Sequence, residues 1–345
     1  MEKKDGSGIK IIFPFTAIVD QEDMKLCLIL NVIDPSIGGV LIMGEKGTAK
    51  STTVRALADL LPEIDVVKGC RFNCAPEGPF CTECAELVKD NGIKREKKKM
   101  RVVELPLGIT EDRLVGTLDI ELAIKKGEKR FESGLLAEAN RNFLYVDEVN
   151  LLEDHIVDLL LDSAAMGINY VEREGISFFH PARFILVGTM NPEEGDLRPQ
   201  LLDRFGLCVY IQSIKDKELR MEILKRKTAF DNDPEGFMNK WKDEQKRLSE
   251  KIVGAKARLK DIEIPDEIFS SVTDITTSLS LDGHRADIVL VKAARAYAAF
   301  NGKSAVTKED IKRVAVFAIR HRLKRLPFED IRREADKLEE LISNL

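Results

Sequence analysis

The stretch Gly44-Glu45-Lys46-Gly47-Thr48-Ala49-Lys50-Ser51 restricts this chain to a small set of folds. Val40-Leu41-Ile42-Met43 leads into it and reads as a buried strand, and Thr52 to Leu61 leaves it as a helix with Val54, Leu57, Ala58 and Leu61 on one face. Strand, glycine-bearing turn and helix in that order make a phosphate cradle. Glycine lets backbone N–H groups close on the phosphates, the helix N-terminus adds its positive dipole, Lys50 reaches the terminal phosphates, and Ser51 offers a hydroxyl to Mg²⁺. Residues Gly44 to Thr52 are therefore the candidate phosphate contacts. Ala49 departs from the pattern, which has Gly before the lysine; as the smallest substitute it suits a helix start. A chance glycine-rich turn before a helix is the competing reading of these residues taken alone.

With 345 residues, 44% of them apolar and 33% charged, the chain can bury a good core and is expected to hold two domains. A net charge of −5 gives no general reason to expect nucleic acid as partner. No apolar stretch is long enough to span a bilayer, and MEKKDGSGIKIIFPF has neither a long apolar core nor a small-residue cleavage site, so a cytoplasmic protein is expected.

A second chemical motif follows the first by about 100 residues. Phe143-Leu144-Tyr145-Val146 reads as a strand buried on both faces, and it ends in Asp147 and Glu148. Ligands bind at the C-terminal edge of a parallel sheet. There Asp147 would hold Mg²⁺ and Glu148 would polarise an attacking water; the competing reading is that the two acids only cap the next helix. Phe184 to Thr189 is another buried strand, ending in Met190-Asn191-Pro192, where the Asn191 amide could orient that water and touch the γ-phosphate. Arg198 and Arg204 precede a last strand at Leu207–Ile211, and read without context they could simply pair with surface acids. Two hairpins are expected: one in the segment from Gly108 to Gly134, which includes Gly127, and one across Tyr170–Phe179.

Cys70, Cys74, Cys81 and Cys84, four of six cysteines, lie within 15 residues as C-x3-C-x6-C-x2-C. In a reducing compartment such a cluster suggests zinc or another thiolate-bound metal before a disulfide, the alternative being free or partly oxidised thiols in a surface loop. The basic run Lys94–Arg101 has no interleaved aromatics and is expected to be a solvated loop.

From about Lys215 the pattern is helical. Phe237, Trp241, Leu248, Ile252, Ala255 and Leu259 recur on one face of a long helix, with Trp241 as a packing anchor. Thr307 with Asp310 has the form of an N-terminal cap. The expected division is an α/β domain over 1–225 carrying the cysteine loop and hairpins, a connecting helix over 226–262, and an all-helical domain over 263–345.

With GEKGTAKST, FLYVDEVNLL, VGTMNPEEGDLRPQLLDRFGL and LDGHRADIVLVKAARA in one order, the chain resembles the ATPase subunits of magnesium chelatase and the related cobalt chelatases, within the AAA+ superfamily. The resemblance runs from FPFTAIVDQ to AIRHRLKRLPFED, and NPEEGDLRPQLLDRFGL and ITEDRLVGTLDIE are its most specific stretches. It implies a P-loop NTPase domain with a parallel sheet, a helical lid, and ATP with Mg²⁺ as ligands. It also implies roles: Asn191 as sensor 1, Arg204 as the arginine finger presented to a neighbouring subunit, Arg198 as a second finger candidate, and Arg285 as the sensor-2 arginine within its own subunit. The implied assembly is a hexameric ring working on a von Willebrand A-containing subunit and a large subunit that inserts metal into a porphyrin. Asp20 stands where the family has Gly in its IVGQ-like segment, which would alter contacts to the adenine.

The expected activity is Mg²⁺-dependent ATP hydrolysis driving metal insertion, most simply of Mg²⁺. Two rivals are a MoxR-like chaperone ATPase remodelling another protein and a nucleotide-dependent scaffold with little turnover. A helicase of the minichromosome-maintenance kind has less support, as no separate DNA-binding module is apparent.

Overall fold

The computed structural model describes residues 2–4, 10–90, 92–118, 131–173, 176–323, 338 and 340–343. Gly127, the Glu174-Gly175 tip of the second hairpin, the last three residues of ITEDRLVGTLDIE and the lid's residues 324–337 lie outside these. The chain forms two compact units, one of residues 1–60 with 191–345 and the other of residues 61–190.

The first unit opens on a short antiparallel pair, β1 (Glu2–Lys4) and β2 (Lys10–Ile12). Helix α1 (Glu22–Ile33) follows and buries every residue from Met24 to Ile33. Even Lys25 is folded inward, donating from Nζ to the Ile18 carbonyl at 2.6 Å and to Glu22 at 2.7 Å. Strand β3 (Val40–Gly44) then delivers the phosphate-loop residues to α2 (Lys50–Leu60).

The second unit begins with β4 (Ile64–Val67), the cysteine loop, α3 (Thr82–Asp90) and β5 (Arg95–Lys98), which pairs antiparallel with β4. The basic run is thus half of a two-stranded ribbon and not a loop. Its side chains alternate in exposure, Arg95 and Lys97 facing water, so the charges stay solvated while the backbone is paired. Strand β6 (Val102–Leu105), helix α4 (Glu111–Val115), the antiparallel legs β7 (Gly116–Leu118) and β8 (Phe131–Ser133), and helix α5 (Leu135–Ala139) lead to β9 (Phe143–Val146). After β9 come α6 (Asp154–Met166), the hairpin β10 (Ile168–Arg173) and β11 (Ile176–Pro181), and β12 (Ile185–Met190). Strand β9 lies between β6 and β12, parallel to both, which explains its unbroken apolar run: all four of its residues are buried.

The chain then returns to the first unit through α7 (Pro199–Arg204) and β13 (Leu207–Ile211), which runs parallel to β3 from Val40 opposite Leu207 to Gly44 opposite Ile211. Helices α8 (Lys217–Asn232), α9 (Pro234–Arg258), α10 (Asp266–Ser278), α11 (Arg285–Phe300) and α12 (Lys308–Ile319) complete it. The break between α8 and α9 is made by Asp233, whose carboxylate accepts from the Gly236 N–H at 2.9 Å, with Pro234 in the first turn. Phe13, Phe230 and Phe237 meet at centroid separations of 5.2 to 5.7 Å, contacts worth about 0.5–1.5 kcal/mol each beyond their burial. Trp241 extends this cluster and stacks under the Arg226 guanidinium at 4.7 Å, as a packing anchor should. Thr307 and Asp310 form the expected capping box. Among the described residues no helix is long and apolar enough to cross a membrane.

His321, just after α12, is buried with its Nε2 3.2 Å from the Phe205 carbonyl. Burial, and then the Arg322 charge beside it, hold its pKa well below the ordinary histidine value. Above about pH 6.5 the ring is neutral in both folded and unfolded chains. Below that, the unfolded chain takes up a proton that the folded one refuses, so stability falls with pH. Urea unfolding of wild type and His321→Gln at pH 7.5 and 5.5 checks this: wild type should lose more stability than the variant on acidification.

Candidate functional site

The phosphate loop is shaped by backbone that few side chains tolerate. Gly44 has φ +154°, and a Cβ there would lie 2.2 Å from the Ile211 carbonyl oxygen, so the close approach of β13 requires glycine. Gly47 has φ +83° with open space where a Cβ would be, leaving its backbone face accessible. Ala49 is a different matter from the sequence expectation. It precedes the helix, at φ +63°, and so occupies the left-handed region at a cost of roughly 1–2 kcal/mol for a residue with a Cβ. Its carbonyl accepts from the Thr53 N–H and hydroxyl, both at 2.9 Å, which holds the turn in place. Lys50 donates from Nζ to the Gly44 carbonyl at 2.7 Å, Lys46 pairs with Glu194 at 2.6 Å, and the Thr48 hydroxyl donates to the Glu45 carbonyl at 2.9 Å. Glu45 also accepts from the Ser213 hydroxyl. Ser51 and Thr52 are half-buried in the first turn of α2.

Beside this loop lies a cavity of about 350 Å³. Gly47, Thr48, Ala49 and Thr52 form one side, and Phe13, Ile18, Ile223 and Leu224 supply apolar wall, with Gln21, Arg220 and Lys227 as polar groups. Glycine-opened backbone next to an apolar chamber suits a nucleotide, phosphates on the loop and base among the aliphatics. Asp20 does not line this cavity; Gln21 does. Both residues are left-handed, at φ +59° and +64°, so an Asp at position 20 bears on the backbone conformation. Aspartate is among the residues that tolerate this conformation best.

Asn191 begins a short 3-10 turn at Pro192–Glu194, and its Oδ1 accepts from the Glu193 N–H at 3.3 Å. Arg198 immediately precedes α7 without a side-chain cap, and Arg204 ends it, half-buried. Arg285 opens α11 and donates from Nη1 to Asp203 Oδ2 at 3.0 Å. Asp203 has a second guanidinium partner that sequence reasoning did not single out. Arg322, only 3% exposed, donates to Asp203 Oδ1 at 3.0 Å, to the Asp203 carbonyl at 2.9 Å, to the Phe205 carbonyl at 2.6 Å and to the Gly206 carbonyl at 3.1 Å. Burial pulls its pKa down to about 10. The carbonyls on both sides of Arg204 are thus held by one buried side chain.

In the second unit the acid pair ends β9 as expected. Asp147 Oδ1 accepts from the Thr189 hydroxyl at 2.6 Å and from the Tyr145 hydroxyl at 3.1 Å. Glu148 is half-buried at φ +52°, and its N–H donates to the Thr189 oxygen at 3.1 Å. Glu148 occupies the cap position of the following turn without making a side-chain cap, so capping does not account for it. Thr189 is the residue that sequence reading missed: it is the penultimate residue of β12, the neighbour of β9, and its hydroxyl holds the Asp147 carboxylate and the Glu148 backbone. Carboxylate and hydroxyl oxygens, as in Asp147 and Ser51, are the hard ligands that Mg²⁺ takes. The four cysteines are all buried, with their sulfurs within 4.8 Å of one another.

Residues 82–205 match an AAA domain of the dynein-related subfamily and residues 270–341 an AAA lid domain. The fold is that of an AAA+ ATPase, an α/β nucleotide-binding region followed by a helical lid. The chain is 56% identical over 335 residues to the magnesium-chelatase subunit ChlI homolog of Methanocaldococcus jannaschii, covering 97% of this chain and 92% of that one. It is 54% identical over 325 residues to the magnesium-chelatase subunit ChlI of Synechocystis, covering 93% and 91%. It therefore belongs to the magnesium-chelatase ChlI family. A structure of the BchI–BchD complex of magnesium chelatase, based on a cryo-EM reconstruction at 7.5 Å, matches with 50% identity and a TM-score of 0.55, covering 95% of this chain and 99% of that one. A crystal structure of a candidate ATPase from Cytophaga hutchinsonii matches with a TM-score of 0.63 at 19% identity, a likeness of fold alone.

Proposed function

We propose that this chain is the ATP-hydrolysing ring subunit of a chelatase, powering insertion of a metal ion, Mg²⁺ in the simplest case, into a porphyrin held by a partner. The observation that carries the reading is the nearly full-length relationship to ChlI subunits in a chain that keeps the phosphate loop and the acid pair. The domain division 1–225, 226–262 and 263–345 belongs to it, as do a hexameric ring, a cytoplasmic location, a von Willebrand A-containing partner and a large metal-inserting subunit. The BchI–BchD complex supports a partner subunit. Zinc also belongs to the reading, as a structural ion at the four cysteines with no part in hydrolysis.

In this reading Lys50 leaves the Gly44 carbonyl for the terminal phosphates of ATP, while backbone N–H groups of residues 44–52 bind the rest. Ser51 and Asp147 would hold Mg²⁺, which supplies charge neutralisation on the phosphates. Glu148 takes the proton of the attacking water and Asn191 orients that water. Arg204 serves a neighbouring subunit's ATP, and Arg285 acts on its own.

Reconstitution with both partner subunits tests the function. Porphyrin metallation, followed by absorbance, should require this chain and ATP together. ATP turnover without metallation, while another co-purifying protein is remodelled, would favour the MoxR-like alternative instead.

A further inference from the structure

The geometry points to a zinc centre formed by Cys70, Cys74, Cys81 and Cys84 whose loop seats β8 and β11, one strand of each hairpin. This rests on the zinc reading above and not on the chelatase assignment. A tetrahedral zinc with Zn–S bonds of about 2.3 Å places its sulfurs about 3.8 Å apart. Here Cys70 and Cys81 Sγ are 4.0 Å apart, and all four sulfurs lie within 4.8 Å. A disulfide needs about 2.0 Å.

The backbone is set for thiolates as well. The N–H groups of Phe72, Cys81 and Cys84 donate to the sulfurs of Cys70, Cys74 and Cys81 at 3.3, 3.2 and 3.5 Å. A neutral thiol is a weak acceptor, whereas such donors stabilise the charge of metal-bound sulfur. All four side chains are buried, so water does not compete for the ion. Two cations border the loop, Arg141 near Cys74 and Lys98, which donates to Asn73 at 3.3 Å. Binding releases the thiol protons to solvent. Four soft thiolates suit zinc and disfavour the hard divalent ions Mg²⁺ and Ca²⁺.

What the loop supports is set by Phe72, midway between Cys70 and Cys74 and fully buried. Its ring stacks on His180 of β11 at 4.8 Å, and its carbonyl accepts from Asn140 Nδ2 at 2.6 Å. The adjacent Arg71 donates to the Phe131 carbonyl of β8 at 3.1 Å, and Phe131 in turn stacks on Phe178 of β11 at 3.9 Å. His180 is locked between the Asn169 amide, 3.0 Å from Nε2, and the Pro181 carbonyl, 2.9 Å from Nδ1. One metal-closed loop therefore plugs the junction where β8 meets β11. Without the ion, four sulfurs at this spacing lose what holds them together, and Phe72 is freed from its seat.

The full-length protein, purified under reducing conditions, should contain about one zinc per chain by elemental analysis. Metal-free protein with four free thiols, or iron in place of zinc, overturns the site. Hydrogen exchange of the zinc-loaded and chelator-treated protein tests the seating. Amides of β8, β10 and β11 should exchange at least about tenfold faster after zinc removal, with those of α2 and β13 unchanged, and zinc should restore them. Zinc loss without change in the hairpins overturns the seating while leaving the site. If the stripped protein aggregates, Phe72→Ala decides: retained zinc with faster hairpin exchange supports the clamp, and unchanged exchange overturns it.

Discussion

Arg204→Ala should abolish most ATP turnover while nucleotide binding persists. An arginine delivered to a neighbour's γ-phosphate is worth about 10³–10⁵ in rate in nucleotide hydrolases, and none of that acts on ground-state binding within the same chain. The fold should survive the change. Arg204 is the last residue of α7 and half-buried, and the backbone around it is fixed by Arg322 through the Asp203, Phe205 and Gly206 carbonyls, none of which uses the Arg204 side chain. Steady-state turnover measured against protein concentration, beside a direct binding assay, checks the expectation. Wild-type specific activity should climb with concentration as subunits associate. A variant that hydrolyses ATP at the wild-type rate would remove Arg204 from the shared site and turn attention to Arg198.

Glu148→Gln should give the second large loss, about 10²–10⁴ in turnover, the usual worth of a general base. Glutamine keeps the size and the hydrogen-bonding reach of the side chain but cannot take a proton. The local backbone is left-handed at φ +52° and is held by the N–H of residue 148 on the Thr189 oxygen, a bond that does not depend on the side chain. Mg²⁺-dependent ATP binding should therefore remain at wild-type affinity, making the variant a trap for the loaded state. Single-turnover hydrolysis with binding measured in parallel separates the two effects. Equal loss of binding and turnover would mean that Glu148 supports the site structurally.

Much of the α/β framework could be read from pattern alone. Val40–Met43, Phe143–Val146, the run through Ile185–Thr189 and Leu207–Ile211 are apolar runs of strand length, and each is a buried or nearly buried parallel strand. Loop and acid pair were legible because their chemistry needs fixed residue types at fixed points on strand ends. What stayed hidden is long-range. Nothing local says that Arg322 reaches back 119 residues to Asp203, or that the Thr189 hydroxyl binds the Glu148 backbone and the Asp147 carboxylate 41 and 42 positions earlier. The run Arg95–Lys98 has no apolar alternation, and only its pairing with Ile64–Val67 makes it a strand. At Ala49 residue preference misled in a different way: a good helix former sits just outside its helix, in a conformation set by the turn.

Asp203 is shared unequally. One of its arginine partners is buried at 3% exposure and bound to three neighbouring carbonyls; the other, Arg285, is 47% exposed and makes one 3.0 Å contact with the carboxylate. Asp203 is itself 40% exposed, so an exposed ion pair on it is worth about 1 kcal/mol or less, and a carboxylate that keeps one guanidinium loses little when the other departs. The Arg285 contact can therefore break and re-form without stranding the Asp203 carboxylate, which keeps its Arg322 partner throughout. Arg322 is the anchored partner of this aspartate and Arg285 the exchangeable one.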